Sequence, residues 1–460
     1  MLWSPHQLYR NPLLLGAGFF LLLSGSTAWL FIFHDAPDPD DAHMLPAPTL
    51  IHVESNALAQ YVAATNHMPI KGMEAVVSSP ADPFAEPNLH DPEKLKEHFL
   101  RTDLEEAGAI AAFRALSDSD VSTWEWPYPQ FDPPPARRMA RISALDVTSG
   151  YLLAKCPLLV ASGKTAEATE LALLVFRVNH RAAIAKLTSD QYVSSLGTQH
   201  QCLEVLSEIL SGSEATPELL RTTLATLTTH VPANLDAYTH ARKSAYEHFK
   251  RLIKDAVARD TLEYHLRISW YAPLRARFTP LTLTLKPNAT LHLRLEIEDR
   301  MSDALKTGWP SAVQSALIEI QRSREVLGSL GNWRAYIDGN HGGKWAHHRC
   351  IQEDLDTLFD LLCLQDAYEV TRINLALRLF ELQSGTLPND IAALTPDTLS
   401  STPIILSTGD VLRWNRNKGI IHLPGADLHP TKAEIRKLPY SHPDAYEITS
   451  TYWWANVKAE

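Results

Sequence analysis

Cysteine, glycine and positive charge are all scarce in this chain, and each shortage excludes something. Four cysteines in 460 residues (Cys156, Cys202, Cys350, Cys363) are too few for a disulfide framework. They allow three full pairings, among which sequence does not choose. A Cys350–Cys363 bridge would need a break between them, because thirteen positions on one continuous helix hold two thiols too far apart. Buried free thiols are the expectation. Glycine at 19 against proline at 30 disfavours glycine-rich phosphate loops and favours helices separated by proline-marked joints. Forty-two Lys and Arg against 53 Asp and Glu give a net charge of −11, with no basic block, which argues against nucleic acid as a partner. Catalytic motifs are also missing. There is no Gly-x-Ser-x-Gly elbow, no cysteine has the flanks of a reactive thiol, and Gly342-Gly343-Lys344 lacks the Walker spacing. No motif implies a cofactor.

What is present begins at the amino terminus. Residues 11–33 carry no charge, and Pro12 to Phe33 is a 22-residue run, PLLLGAGFFLLLSGSTAWLFIF. At ~1.5 Å per residue it spans about 33 Å as a helix, enough for a bilayer's hydrocarbon core. The amino group and Arg10 precede it, and Asp35, Asp38, Asp40 and Asp41 follow. The positive-inside rule then keeps residues 1–10 in the cytoplasm and sends the remainder across the membrane. The rival reading is a cleaved signal peptide with Leu13–Leu23 as its apolar core and Ser26-Thr27-Ala28 as its cleavage site. Either way the rest of the chain is exported.

Residues 34–90 are proline- and aspartate-rich and read as a tether. Helical spacing starts at the Asp91-Pro92-Glu93 cap and dominates to Ser384, giving a helical ectodomain over 91–384. Trp124 to Pro135 is an aromatic, proline-rich connector, read as packing onto the helical body more readily than as a polyproline ligand. From Ala136 to Ala258 the pattern is almost wholly helical, with Pro157 expected to kink or end its helix. The middle stretch resembles tetratricopeptide stacking but shows no 34-residue period, so irregular antiparallel helical hairpins are expected. Around residues 279–297 period two competes with period 3.6. Leu293, Ile297, Met301 and Leu305 favour a helix over 288–306. Further helices are expected over 310–330 and 345–384. After Gly385 three short strands are expected, over 404–406, 411–415 and 419–423, in a small α+β unit over 385–460 that includes the aromatic tail. The predicted fold class is therefore mainly α, with an N-terminal transmembrane helix and that small C-terminal unit.

The stretch ALRLFELQSGTLPNDIAALTPDTLSSTPI…VLRWNRNKGIIHLPGADL (Ala376 to Leu428) resembles type II secretion pseudopilins. In these a long helix ends in an aromatic…Gly-x-x-Pro turn and is followed by a short helix and small antiparallel strands. Phe380, Gly385, Leu387-Pro388, Leu394 and Gly425-Ala426-Asp427 carry the likeness. The whole chain resembles uncharacterised membrane-anchored proteins of planctomycetes and verrucomicrobia, with a helical middle and a degenerate pseudopilin-like end. The resemblance implies a bacterial inner-membrane protein and brings no activity with it. It departs from true pseudopilins at the leader: Gly18-Phe19 lies inside the apolar run, and Leu23 stands where the assembly glutamate belongs. Pseudopilins often bind calcium through late aspartates, and Asp427 matches one such position with Asp410 its nearest helper.

One cluster has metal-ligand chemistry, His341, His347, His348 and Cys350 in DGNHGGKWAHHRC. Its spacing fits no standard zinc site, and on a helix His347 and His348 point about 100° apart. Glu296, Glu298 and Asp299 alternate with apolar and basic residues, as the wet face of one element would. The reading these features favour is a single-pass envelope protein. Residues 11–33 meet the lipid bilayer, the ectodomain is periplasmic, and it serves as a non-catalytic scaffold or adaptor for an envelope protein partner, with a link to secretion or pilus-like machinery. The alternative is a membrane-tethered metal-dependent hydrolase using His341, His347 and His348.

Overall fold

A computed structural model describes residues 35–45, 55–65, 103–124, 135–185, 188–212, 214–259, 285–329, 340–395, 398–399, 401–416 and 420–422. They are mainly helical. The helices are α1 (Ala57–Thr65), α2 (Asp103–Asp118), α3 (Pro135–Ala161), α4 (Thr165–Ile184), α5 (Ser189–Ser211), α6 (Pro217–Thr229), α7 (Leu235–Arg259), α8 (Pro287–Thr307), α9 (Trp309–Ser329) and α10 (His341–Ser384). Two three-residue strands follow, β1 (Arg413–Asn415) and β2 (Ile420–His422), paired antiparallel with Trp414 opposite Ile421. The apolar run of residues 11–33 lies outside the described residues. Among those described, no helix is long and apolar enough to cross a membrane.

The chain divides into two compact units. One comprises residues 1–46 and 245–355, the other 47–244 and 356–460. The division falls within α7 after Ser244 and within α10 after Leu355.

In the larger unit, α4 packs against α2, α3, α5 and α6. Its buried residues run almost without interruption from Ala168 to Ala183, because a helix enclosed on most sides must be apolar around most of its circumference. The turns are locally encoded. Thr188 caps α5 by accepting from the Gln191 amide, and Thr216 caps α6 by accepting from the Leu219 amide, with Pro217 in the first turn. Gly163, at φ 73°, closes α3: its N–H donates to the Val160 carbonyl and that of Lys164 to the Leu159 carbonyl, each at 2.9 Å.

Three expectations change here, and one is narrowed: the helix expected to kink or end at Pro157 does not end there, since α3 runs on to Ala161. Its packing against α4 and α5 supports the turn whose hydrogen bond proline removes. α10 starts at His341, four residues before Trp345, so Cys350 and Cys363 lie on one helix; all four cysteines are free. The expected strand at 404–406 is reduced to a single bridge between Ile404 and Val411. A separate C-terminal α+β unit is not found among the described residues. The two short strands belong to the same compact unit as α1–α6, and Ile405, Leu412 and Ile421 are buried within it.

Candidate functional site

The smaller unit holds the densest polar chemistry, and it begins with the segment read from composition as a tether. Residues 35–45 form a strap on α7 and α8. The Asp35 carboxylate accepts from the Asn288 amide at 2.8 Å and from the Ala289 amide at 3.0 Å, satisfying two N–H groups in the first turn of α8. That is where a helix leaves donors unpaired and where its dipole favours an anion. Asn288 Nδ2 donates to the Ala36 carbonyl at 2.8 Å, and a ring nitrogen of His292 meets the Pro37 carbonyl at 3.0 Å.

Farther along, Asp41 is buried at 6% exposure. It accepts from the Tyr246 hydroxyl at 2.7 Å and from Lys250 Nζ at 2.6 and 2.9 Å. Burial works against its charge. Hydrogen bonds from Lys250 and Tyr246, with the lysine's charge, outweigh burial and hold the carboxyl below the ordinary aspartate range. Lys254 lies 3.8 Å from Asp38, and His43 lies 2.9 Å from Asp299; both pairs are exposed. Pro39 and Met44 are the strap's buried apolar residues.

Beneath the strap lies a charged interior. Arg294 on α8 is fully buried, with Nε 2.9 Å from Glu298 and Nη2 bonded to Asp354 of α10. Its guanidinium also lies over the Phe249 ring, 5.5 Å from the centroid. Burial opposes the charge, but Asp354 and Glu298 outweigh it and keep Arg294 cationic. Glu319 on α9, also buried, is bonded by Arg300 at 3.0 Å and Arg322 at 2.9 Å. Of the three acids that sequence assigned to a wet face, Glu298 is thus an interior ion-pair partner, while Glu296 and Asp299 are exposed. Acidic residues four apart from arginine on one helix reach each other whether the face is wet or dry.

The histidine cluster is partly brought together. His347 and His348 have ring centroids 4.8 Å apart at 69°. His348 Nδ1 meets Ser323 Oγ at 3.0 Å. Burial lowers the pKa of His347 well below normal, with His348, Arg294 and Arg300 adding to the effect. His348 falls to about 4, mainly through burial, with Glu319 opposing and Lys344 and Arg322 reinforcing. His341 is buried at the start of α10, and Cys350 is half-buried against the apolar cluster of Phe249, Ile253, Leu285, Leu291 and Ala346. Among the described residues, no three His, Cys, Asp or Glu side chains group to hold a metal ion, so His341, His347, His348 and Cys350 do not converge as a ligand set. Asp427 lies outside the described residues. The Ser323–His348 pair has the spacing of a nucleophile and base. Ser323 is fully buried, however, and an imidazole of pKa about 4 is a weak base at neutral pH.

Gly343 has a packing role in place of a phosphate-binding one. A Cβ there would collide with the Thr290 hydroxyl and the Asn340 side chain. Asn340 in turn accepts from the Lys286 amide at 2.8 Å and so ties the start of α10 to the start of α8.

Composition hid the strap. The signal that could have found it is the spacing of Asp35, Asp38 and Asp41, every third residue with prolines between, opposite Lys250 and Lys254 one helical turn apart. Comparison with known proteins finds no matching family model, no matching curated protein and no matching solved structure.

Proposed function

We propose that the chain is a single-pass protein of the bacterial inner membrane, anchored through residues 11–33 with residues 1–10 cytoplasmic. Its periplasmic part, built of irregular antiparallel helical hairpins, acts as a non-catalytic scaffold or adaptor for a protein partner in the envelope. The observation that carries this reading is the Asp35 carboxylate on the first turn of α8. Asp35 follows the apolar run by two residues, so a bilayer-inserted run would hold the smaller unit at the membrane surface by a bonded strap. The interior charges support a structural role, because Arg294, Glu298, Asp354 and Glu319 are engaged with one another or with Arg300 and Arg322. A link to secretion or pilus-like machinery rests on the pseudopilin-like pattern of residues 376–428 alone.

The test is membrane fractionation and protease accessibility of the full chain tagged at either end, followed by cross-linking in cells. Alkali-resistant membrane association, a protected amino terminus and one recurrent cross-linked envelope protein are expected. Full-length chain recovered in the soluble fraction would overturn the anchor. Stoichiometric zinc lost on His347→Ala and His348→Ala substitution would replace the scaffold with a metal-dependent hydrolase.

A further inference from the structure

The strap is fastened in an unusual way for a segment that belongs to a folded unit. Pro39 and Met44 are its buried apolar residues, and the rest of its attachment is polar. Three carboxylates three residues apart, Asp35, Asp38 and Asp41, meet an amide pair, Lys254 and Lys250 in turn. Three residues is the period of a polyproline II chain, a conformation favoured by Pro37 and Pro39, so side chains at that spacing share one edge. Between them Asn288 and His292 engage the main-chain carbonyls of Ala36 and Pro37. Main-chain contacts, one buried proline and regularly spaced charges are how grooves recognise extended peptides.

We infer that this face of α7 and α8 is a binding site for a proline-containing acidic segment of a partner protein, occupied in cis by the chain's own residues 35–45, which end in a single 3-10 turn over Ala42–Met44. The strap acts as a built-in competitor. Tethered beside its site, it is present at a high effective concentration, and a partner segment gains access when the strap is weakened. Of its charged attachments, the exposed Asp38–Lys254 pair is screened most by salt and the buried Asp41–Lys250 pair least. This inference does not depend on where residues 11–33 reside.

The test uses the full chain and a fluorescent peptide of sequence DAPDPDDAHM, identical to residues 35–44. In the strap-weakened variant carrying Asp35→Asn, Asp38→Asn and Asp41→Asn, the peptide is expected to bind at least tenfold tighter than to the unmodified chain. Binding should weaken several-fold on raising salt from about 50 to about 500 mM and disappear when Lys250→Glu is added. A peptide with asparagine at its aspartates should not bind. Equal binding to both chains, or to neither, would overturn the inference. Dimers of the unmodified chain that vanish in the variant would assign the groove to a second copy and overturn the partner reading. A variant that fails to fold is covered by hydrogen exchange on the unmodified chain. There, salt should deprotect the strap and the first amides of α8 while α9 stays protected. Loss of all protection together would make the strap an inseparable part of the unit and overturn the proposal.

Discussion

Asp41 and Tyr246 are 205 positions apart in sequence, yet the tyrosine hydroxyl donates to the aspartate carboxylate at 2.7 Å inside one compact unit. With Lys250 on the same carboxylate, this contact fixes the far end of the strap as Asp35 fixes the near end.

The strap should therefore respond to acid through Asp41. A carboxyl held below its ordinary range stabilises the attachment fully above about pH 3.9, and the contribution is lost as pH falls through its lower folded value. Met44, at 3% exposure, is the reporter, since thioether oxidation follows exposure. Mass spectrometry after brief peroxide treatment should find Met44 protected at pH 7 and oxidised several-fold faster in an Asp41→Asn chain at the same pH. Equal rates in the two chains would mean that Asp41 does not hold the strap.

Removing the buried guanidinium should be costly. Arg294→Met leaves Glu298 and Asp354 facing each other without a cation, a change expected to destabilise by about 3–5 kcal/mol. Denaturant unfolding followed by circular dichroism measures it. Adding Glu298→Gln and Asp354→Asn to the same chain should recover more than half of the loss, which a simple packing defect would not do.

Buried histidines make stability fall as the medium becomes acidic. His347 and His348 are held neutral in the fold, His348 with a pKa of about 4, whereas an unfolded imidazole titrates near ~6.5. The unfolded chain binds more protons between those values, so stability rises with pH across that window, by about 1.4 kcal/mol per pH unit for each such group. The facing groups are Phe249 of α7, Arg294 and Arg300 of α8, and Glu319, Arg322 and Ser323 of α9, with Lys344 on α10 itself. His180 in the larger unit, also lowered to about 4, contributes in the same sense. A His348→Gln chain should show a shallower decline of melting temperature between pH 6.5 and 4.5 than the unmodified chain. Parallel declines would show that this imidazole is not buried in its neutral form.

Two glycine substitutions should have opposite signs. Gly343→Ala drives a methyl group into Thr290 and Asn340 and should destabilise by about 1–3 kcal/mol. Gly197, within α5, has open space around its Cβ position, so Gly197→Ala should stabilise by roughly 0.5–1 kcal/mol. Melting temperatures of the two single variants decide it.

Local chemistry was legible from residues alone wherever it acts through the backbone within a few positions. The spacing ends the last long helix at Ser384, and α10 ends there, with Gly385 following at φ 72°. The spacing of Leu293, Ile297, Met301 and Leu305 marked α8, expected over 288–306 and running from Pro287 to Thr307. α10 was harder to bound, because a helix buried on several sides by both apolar and charged residues has little amphipathic periodicity. Gln365, Glu369 and Arg372 lie buried along it, bonded to each other. At Pro157 sequence left open whether the helix kinks or ends, and it continues because neighbouring helices can outweigh proline's local cost.

By itself, then, the sequence determined the mainly helical class and the acidic, proline-rich character of residues 35–45. The tertiary structure alone decided that those residues are a strap, that Glu298 faces inward, and that His347 and His348 meet without His341 or Cys350 as co-ligands. The reason is range. Helix formation and capping are set by contacts within about four residues. The partners of Asp35, Asp38 and Asp41 lie more than 200 positions away, and whether a carboxylate is buried depends on every element packed against it, which no local pattern encodes.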